Sequence, residues 1–178
     1  MMSPMHRIFS RTRKREVTTD MSQAERNPHM CLAHLYPEEQ MAFDEVIDEY
    51  VDDYGYTDWS GEKRVMGDYI LGLIQRKRQV ASSVYAFKND EESLQAGIDE
   101  YADYGDAKFD ELLRICDEVF KGGTQKLIVF ALFRKTLRYL AIRLKQHGIG
   151  TLTISGTVEN RQEVLQEFRD NPAIKNAP

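Results

Sequence analysis

The chain is 178 residues long and 42% hydrophobic, with 24 Lys and Arg against 29 Asp and Glu for a net charge of −5, which suits one domain of ordinary size. Its longest apolar run, residues 127–133, is far short of the roughly 18–20 residues a membrane helix needs, so no membrane partner is expected. The Arg-rich N-terminus lacks an apolar core and is no secretory signal, and its likeness to a transit peptide is superficial.

Two cysteines, Cys31 and Cys116, stand without paired spacing; this fits a reducing cytosol and argues against zinc, so a cytoplasmic location is expected. The net charge conceals an asymmetry. Residues 1–30 carry six Lys/Arg and three acids, residues 36–55 carry eight acids and no Lys or Arg, and residues 121–178 carry ten basic and four acidic residues. Basic flanks around an acidic middle suit a chain of which only some surfaces meet nucleic acid, although solvated helix faces are the favoured account of the middle.

The opening residues 1–21 are polar and basic and read by themselves as a disordered tail. Residues 27–36 could form a short strand. His29 and His34 have no third ligand at metal spacing, so no metal site is expected. Pro37 followed by Glu38 and Glu39 is a good helix start, and Met41, Val46, Ile47, Tyr50 and Val51 mark its apolar stripe. A second helical block is predicted over residues 61–87, with Val65, Met66, Tyr69, Ile70, Leu73 and Ile74 on one face and Arg76, Lys77 and Arg78 as a basic knot. The knot suits phosphate contact or a solvated helix end equally well.

Residues 89–105 are acidic and weakly periodic, and IDEYADYG at 98–105 echoes IDEYVDDYG at 47–55. Two copies with dissimilar flanks do not make a repeat array. Asp106 is a sensible N-cap for a helix whose apolar side is Phe109, Leu112, Leu113, Ile115, Cys116 and Val119. An apolar strand at 127–133 follows, then a helix over about 134–147 with Leu137, Leu140, Ala141 and Leu144 on one face and Gly148 at its C-cap. A second strand at 152–154 leads to a helix with Val164, Leu165 and Phe168 apolar, stopping at Asn171-Pro172. Strand–helix–strand–helix with short connections predicts part of a parallel sheet covered by helices, half of a doubly wound α/β domain.

Several segments, in order, resemble the superfamily-two helicases, most closely Swi/Snf-type DNA translocases. They are SRTRKREV at 10–17, HLYPEEQMAFDEV at 34–46, RQVASSVYAF at 78–87, DAKFDELLRICDEVFKGGTQKLIVF at 106–130, TLRYLAIRLKQHGI at 136–149, ISG at 154–156 and NRQEVLQEFRDNP at 160–172. Val84 stands where the family usually has proline, and the loop GTVENR is about two residues shorter than the usual form.

The resemblance implies a helical linker followed by a partial RecA-like (P-loop NTPase-type) parallel-sheet lobe. Residues 1–36 would be the tail of the first lobe, 37–105 the helical linker, and 106–178 the N-terminal half of the second lobe. It also implies an ATP-dependent motor on double-stranded DNA, with Gly156, Thr157 and Arg161 against the phosphate backbone. The sequence contains no GxxxxGK[ST] loop and no DEAD- or DEAH-type motif, and the arginine-finger motif would lie beyond residue 178. Hydrolysis by this chain alone is therefore not expected, and the ATP and Mg of the intact motor would be held with the remainder of the motor, in the same or a separate chain. Phe130 and Phe133 read as core residues rather than base-stacking ones. A rival reading is a stand-alone acidic helical interaction protein whose half α/β domain is completed by a partner chain. A small flavodoxin-like enzyme is weaker, since no phosphate-binding loop follows the 127–133 strand.

Overall fold

In the computed structural model, residues 27–90, 92–93, 105–121, 126–156 and 160–171 are described. Pro37 opens the first helix, α1 (Pro37–Tyr54), as its sequence predicts. Glu39 in the first turn reaches back and accepts from the Tyr36 backbone N–H at 2.9 Å, satisfying the chain where it enters the helix. The helix ends at Gly55, where a side chain would not fit: a Cβ there would lie 2.2 Å from the Val51 carbonyl oxygen.

Residues 61–69 contain no α-helix, contrary to the expectation of one helical block over 61–87. Instead β1 (Gly55–Thr57) and β2 (Lys63–Val65) form an antiparallel hairpin, with Tyr56 paired to Arg64. A single 3-10 turn, Gly67–Tyr69, leads into α2 (Ile70–Ser82). Tyr54 stacks on Tyr69 with ring centroids 4.7 Å apart and lies the same distance from Tyr50, so an aromatic ladder ties the hairpin's base to α1.

The SS of RQVASSVYAF breaks the helix. Ser83 adopts an extended conformation and its hydroxyl accepts from the Ala86 N–H at 3.1 Å, capping the short helix α3 (Val84–Lys88). Its neighbour Ser82 shares a 2.9 Å hydroxyl contact with Thr136. Beyond this point α4 (Ala107–Phe120) begins at Asp106, whose carboxylate accepts from the Phe109 N–H at 2.9 Å as predicted. The next helix, α5 (Arg134–Gln146), ends in a Schellman turn. Gly148 sits at φ +72°, its N–H donates to Lys145, and the Ile149 N–H donates to the Leu144 carbonyl at 2.9 Å. The last helix is α6 (Arg161–Asp170).

The described residues from Leu32 onward make one compact unit with two apolar centres. Val46, Val80, Val84, Tyr85, Ala86 and Tyr139 form the first, joining α1, α2, α3 and α5. Phe109, Cys116 and Leu144 form the second, with Leu127 and Ile149 packed against it. Leu140 touches both. Between them runs a buried polar seam. Glu39 accepts from the Ala107 N–H at 3.0 Å, and Tyr139 donates to the other oxygen of Asp106 at 2.8 Å. Tyr85 donates to the Gly105 carbonyl at 2.8 Å, so three hydroxyl or carboxylate groups hold the entry to α4.

The chain is therefore mixed α/β and mostly helical, and the one sheet among the described residues is the two-stranded antiparallel hairpin. The two segments predicted as parallel strands, 127–133 and 152–154, carry no strand. A central parallel strand obtains its backbone partners and its cover from neighbours on both sides. Here Leu127 packs inward and Ala131 and Phe133 are half-buried, while Ile128 is 64% exposed, Phe130 92% and Leu132 68%. Phe130 is thus on the surface, not in the core. Residues 27–36 likewise form no strand. The 10–17 segment and residues 98–104 of the second copy of the acidic echo lie outside the described residues. No described helix is long and apolar enough to cross a membrane.

Candidate nucleic-acid interface

The break at Ser83 opens a cleft of about 590 Å³ between α2, α3 and the start of α5, lined by Tyr50, Arg76, Gln79, Phe133, Arg134 and Lys135 among others. Of the basic knot on α2, Lys77 and Arg78 are exposed, whereas Arg76 is half-buried. Its guanidinium lies 5.4 Å from the centre of the Tyr50 ring and 5.1 Å from that of Phe87. Cation–π contacts on two sides fix the side chain while leaving its N–H groups available for an acceptor.

Across the cleft, α5 begins in an electrostatically unusual way. No side chain caps it, its first turn has no acid, and its first two residues are Arg134 and Lys135. Cations at the positive end of a helix are disfavoured by about 0.3–1 kcal/mol each. An anion bound there reverses the sign, since the open first-turn N–H groups and both side chains then all point to negative charge. Lys135 has some compensation from Asp90. That carboxyl is held below its ordinary value chiefly by hydrogen bonds from Ser93, with Lys135 adding attraction.

Gly156 falls beside this group: a Cβ built on it would be 3.9 Å from an Arg134 guanidinium nitrogen. The glycine predicted to let a backbone approach thus adjoins an arginine that the sequence did not single out. Thr157 lies outside the described residues. Arg161 is the first residue of α6 and is exposed, and no side chain caps that helix either. It follows Gly156 by five residues, which limits the separation of the two to about 17 Å along the chain. Phe133 caps the geometry of the cleft as a lining residue and is half-buried.

Sequence reasoning missed Arg134 and Lys135 because they precede the apolar face by which the helix was recognised. The signal that could have found them is the pair of cations where a first turn normally carries acids. The polar seam nearby is no second site. Glu39 is buried and its carboxyl is pushed up by burial, against the two backbone N–H bonds that pull it down and with Asp106 and Asp110 repelling it. Both its bonds are structural. Among the described residues no group of three His, Cys, Asp or Glu is placed to hold a metal ion. Comparison of the chain with protein-family models, with curated proteins and with solved structures found no match.

Proposed function

We propose that the chain is a piece of a Swi/Snf-type ATP-dependent DNA translocase, the part that hinges two lobes and contacts the DNA backbone. In this reading ATP and Mg are held with the remainder of the motor, and this chain contributes no catalytic group of its own. The observation that carries it is the uncapped, doubly cationic start of α5 facing Arg76 across an open cleft, with Gly156 alongside. Three cations from two helices, with a glycine for close approach, suit a phosphate chain and carry no base-reading pattern. The buried seam from Glu39 through Asp106 to Tyr139 supports the hinge role. It joins the HLYPEE, DAK and TLRYL segments, the pieces by which the sequence resembles the family.

The test is anisotropy of a labelled duplex of about 30 base pairs titrated with the full chain between 50 and 200 mM salt. Arg76→Gln, Arg134→Gln and Lys135→Gln should each flatten the slope of log affinity against log salt by about 0.9. Equal slopes for the triple variant and the wild-type chain, or no duplex binding at the lowest salt, refute the interface. A second reading, a chain whose apolar segment is covered by a partner, is favoured by the exposure of Ile128, Phe130 and Leu132. Sedimentation of wild type and Ile128→Ser/Phe130→Ser separates the two: self-association that the double variant abolishes, without duplex binding, favours the partner.

A further inference from the structure

The hairpin β1–β2 presents the chain's single tryptophan. Trp59 lies in the loop between Thr57 and Lys63 and is 98% exposed. Tryptophan is seldom left in water by a fold that has no use for it, and it is the residue most enriched among the anchors of protein interfaces. The loop that carries it is held in one shape. The Asp58 N–H donates to the Glu62 carbonyl at 2.9 Å, and Gly61 takes φ +85° to close the turn. One oxygen of Asp58 accepts from the Ser60 N–H at 2.8 Å, the Ser60 hydroxyl at 2.6 Å and the Glu62 N–H at 3.1 Å. The other oxygen faces Arg64 Nε at 2.6 Å. At the base, Lys63 pairs with Asp52 of α1, and the Tyr50–Tyr54–Tyr69 ladder packs behind. A tip saturated with hydrogen bonds loses little backbone entropy when it is bound, so the loop that carries the indole is preorganised.

Charge selects what the anchor enters. Residues 44–64 carry eight acids and only Lys63 and Arg64 as cations. Both cations are already engaged, Lys63 by Asp52 and Arg64 by Asp58 and Glu62. With Glu45 also paired to Lys88 of α3, this stretch still carries net negative charge, which repels a phosphate backbone or an anionic membrane. It complements a surface lined by Lys and Arg around an apolar socket. We propose that the hairpin tip is a docking element for a basic protein partner, with Trp59 as its anchor and the acids of α1 steering the approach. This is independent of the cleft at α5, whose charge has the opposite sign.

The probe is a labelled peptide of about 18 residues, long enough for a stable amphipathic helix, with Lys on one face and Leu on the other. Trp59 emission of the full chain should shift to the blue on binding, and a Lys/Ser peptide of equal charge should bind more weakly and leave the emission unshifted. Trp59→Ala, at a fully exposed position, keeps the far-ultraviolet circular dichroism of the wild type. Anisotropy of the labelled peptide should show affinity falling about thirtyfold in that variant. Glu49→Gln/Asp53→Asn should slow association and leave the blue shift of the bound state in place. The proposal is overturned if the Lys/Leu peptide does not bind, if Trp59→Ala binds it within about twofold of wild type, or if duplex DNA rather than peptide shifts the emission.

Discussion

Tyr139 locks α5 to the start of α4 through its bond to Asp106. The side chain is 1% exposed, and its hydroxyl donates at 2.8 Å to Asp106, itself 6% exposed. Tyr139→Phe removes the donor and leaves a buried carboxylate oxygen without it. Hydrogen bonds to charged groups contribute about 1.5–3 kcal/mol, so a loss of about 2 kcal/mol is expected. For a domain of this size that lowers Tm by roughly 4–8 °C. Asp106→Ala loses the same bond and also the cap on Phe109, which adds about 1 kcal/mol. Asp106→Asn keeps a capping oxygen and can donate to the tyrosine hydroxyl, so it should cost less than either. In the double variant Tyr139→Phe/Asp106→Ala, the bond between the two sites is already lost to the Asp106 change. Its stability should match that of Asp106→Ala alone, a coupling of about 2 kcal/mol between the two sites. Urea unfolding followed by far-ultraviolet circular dichroism measures all four. A Tyr139→Phe variant within about 0.5 kcal/mol of wild type, or strictly additive single losses, would falsify the account of how α5 is locked to α4.

Glu39 gives a pH-dependent counterpart. Burial raises its pKa above the ordinary 4.5, so ionising it costs more in the fold than in the unfolded chain; the penalty grows as pH rises through 4.5 towards the folded value and then stays constant. Glu39→Gln keeps an oxygen for the Tyr36 and Ala107 N–H groups without the charge. It should be no less stable than wild type at neutral pH and should flatten the stability profile above pH 4.5, whereas Glu39→Ala should lose about 2 kcal/mol. Urea midpoints measured across that range decide it, and a Gln variant as weak as the Ala variant sinks the explanation. Gly72→Ala gains about 1 kcal/mol of helix propensity, but its Cβ would meet the Tyr50 hydroxyl at 2.0 Å and displace it from the Tyr69 carbonyl. A net loss of about 1 kcal/mol is expected in thermal melts, and a higher Tm would contradict the packing. Phe130→Ser should change stability by no more than about 0.5 kcal/mol, since the ring is exposed; a loss of about 3 kcal/mol or more would instead mean that a sheet covers it.

The helices were legible because each announces itself locally. Asp106 caps α4, Gly148 ends α5, Pro37 opens α1, and the residues between them repeat at helical spacing. The hairpin was not, because Val65, Met66, Tyr69 and Ile70 also repeat at that spacing. What decides against a helix there is Asp58, whose side chain gathers the N–H groups of Ser60 and Glu62 into a turn before any helix can use them. Of the candidate residues, Gly156 was singled out by the family resemblance and not by any local pattern. Arg134 and Lys135 were hidden because their meaning depends on Arg76, 58 and 59 residues earlier in the sequence, arriving on the other side of the cleft.

The same contrast explains why the pattern of strand–helix–strand–helix gave helices and not a sheet among the described residues. A helix satisfies its backbone within itself and needs only one apolar face covered, and α5 has that cover: Tyr139 enters the first centre, Leu144 the second, and Leu140 touches both. A strand of the kind written at 127–133 has no internal partners, so its apolar alternation is a statement about neighbours. Leu127 meets such a neighbour in the second centre, and Lys126 donates to the carbonyls of Phe168 and Arg169 at the end of α6. Beyond that anchor Ile128, Phe130 and Leu132 face solvent, and Leu165 on α6 is 48% exposed as well. The apolar residues of the segment and Leu165 of α6 are thus exposed together, and neither supplies the other with the cover that a strand requires.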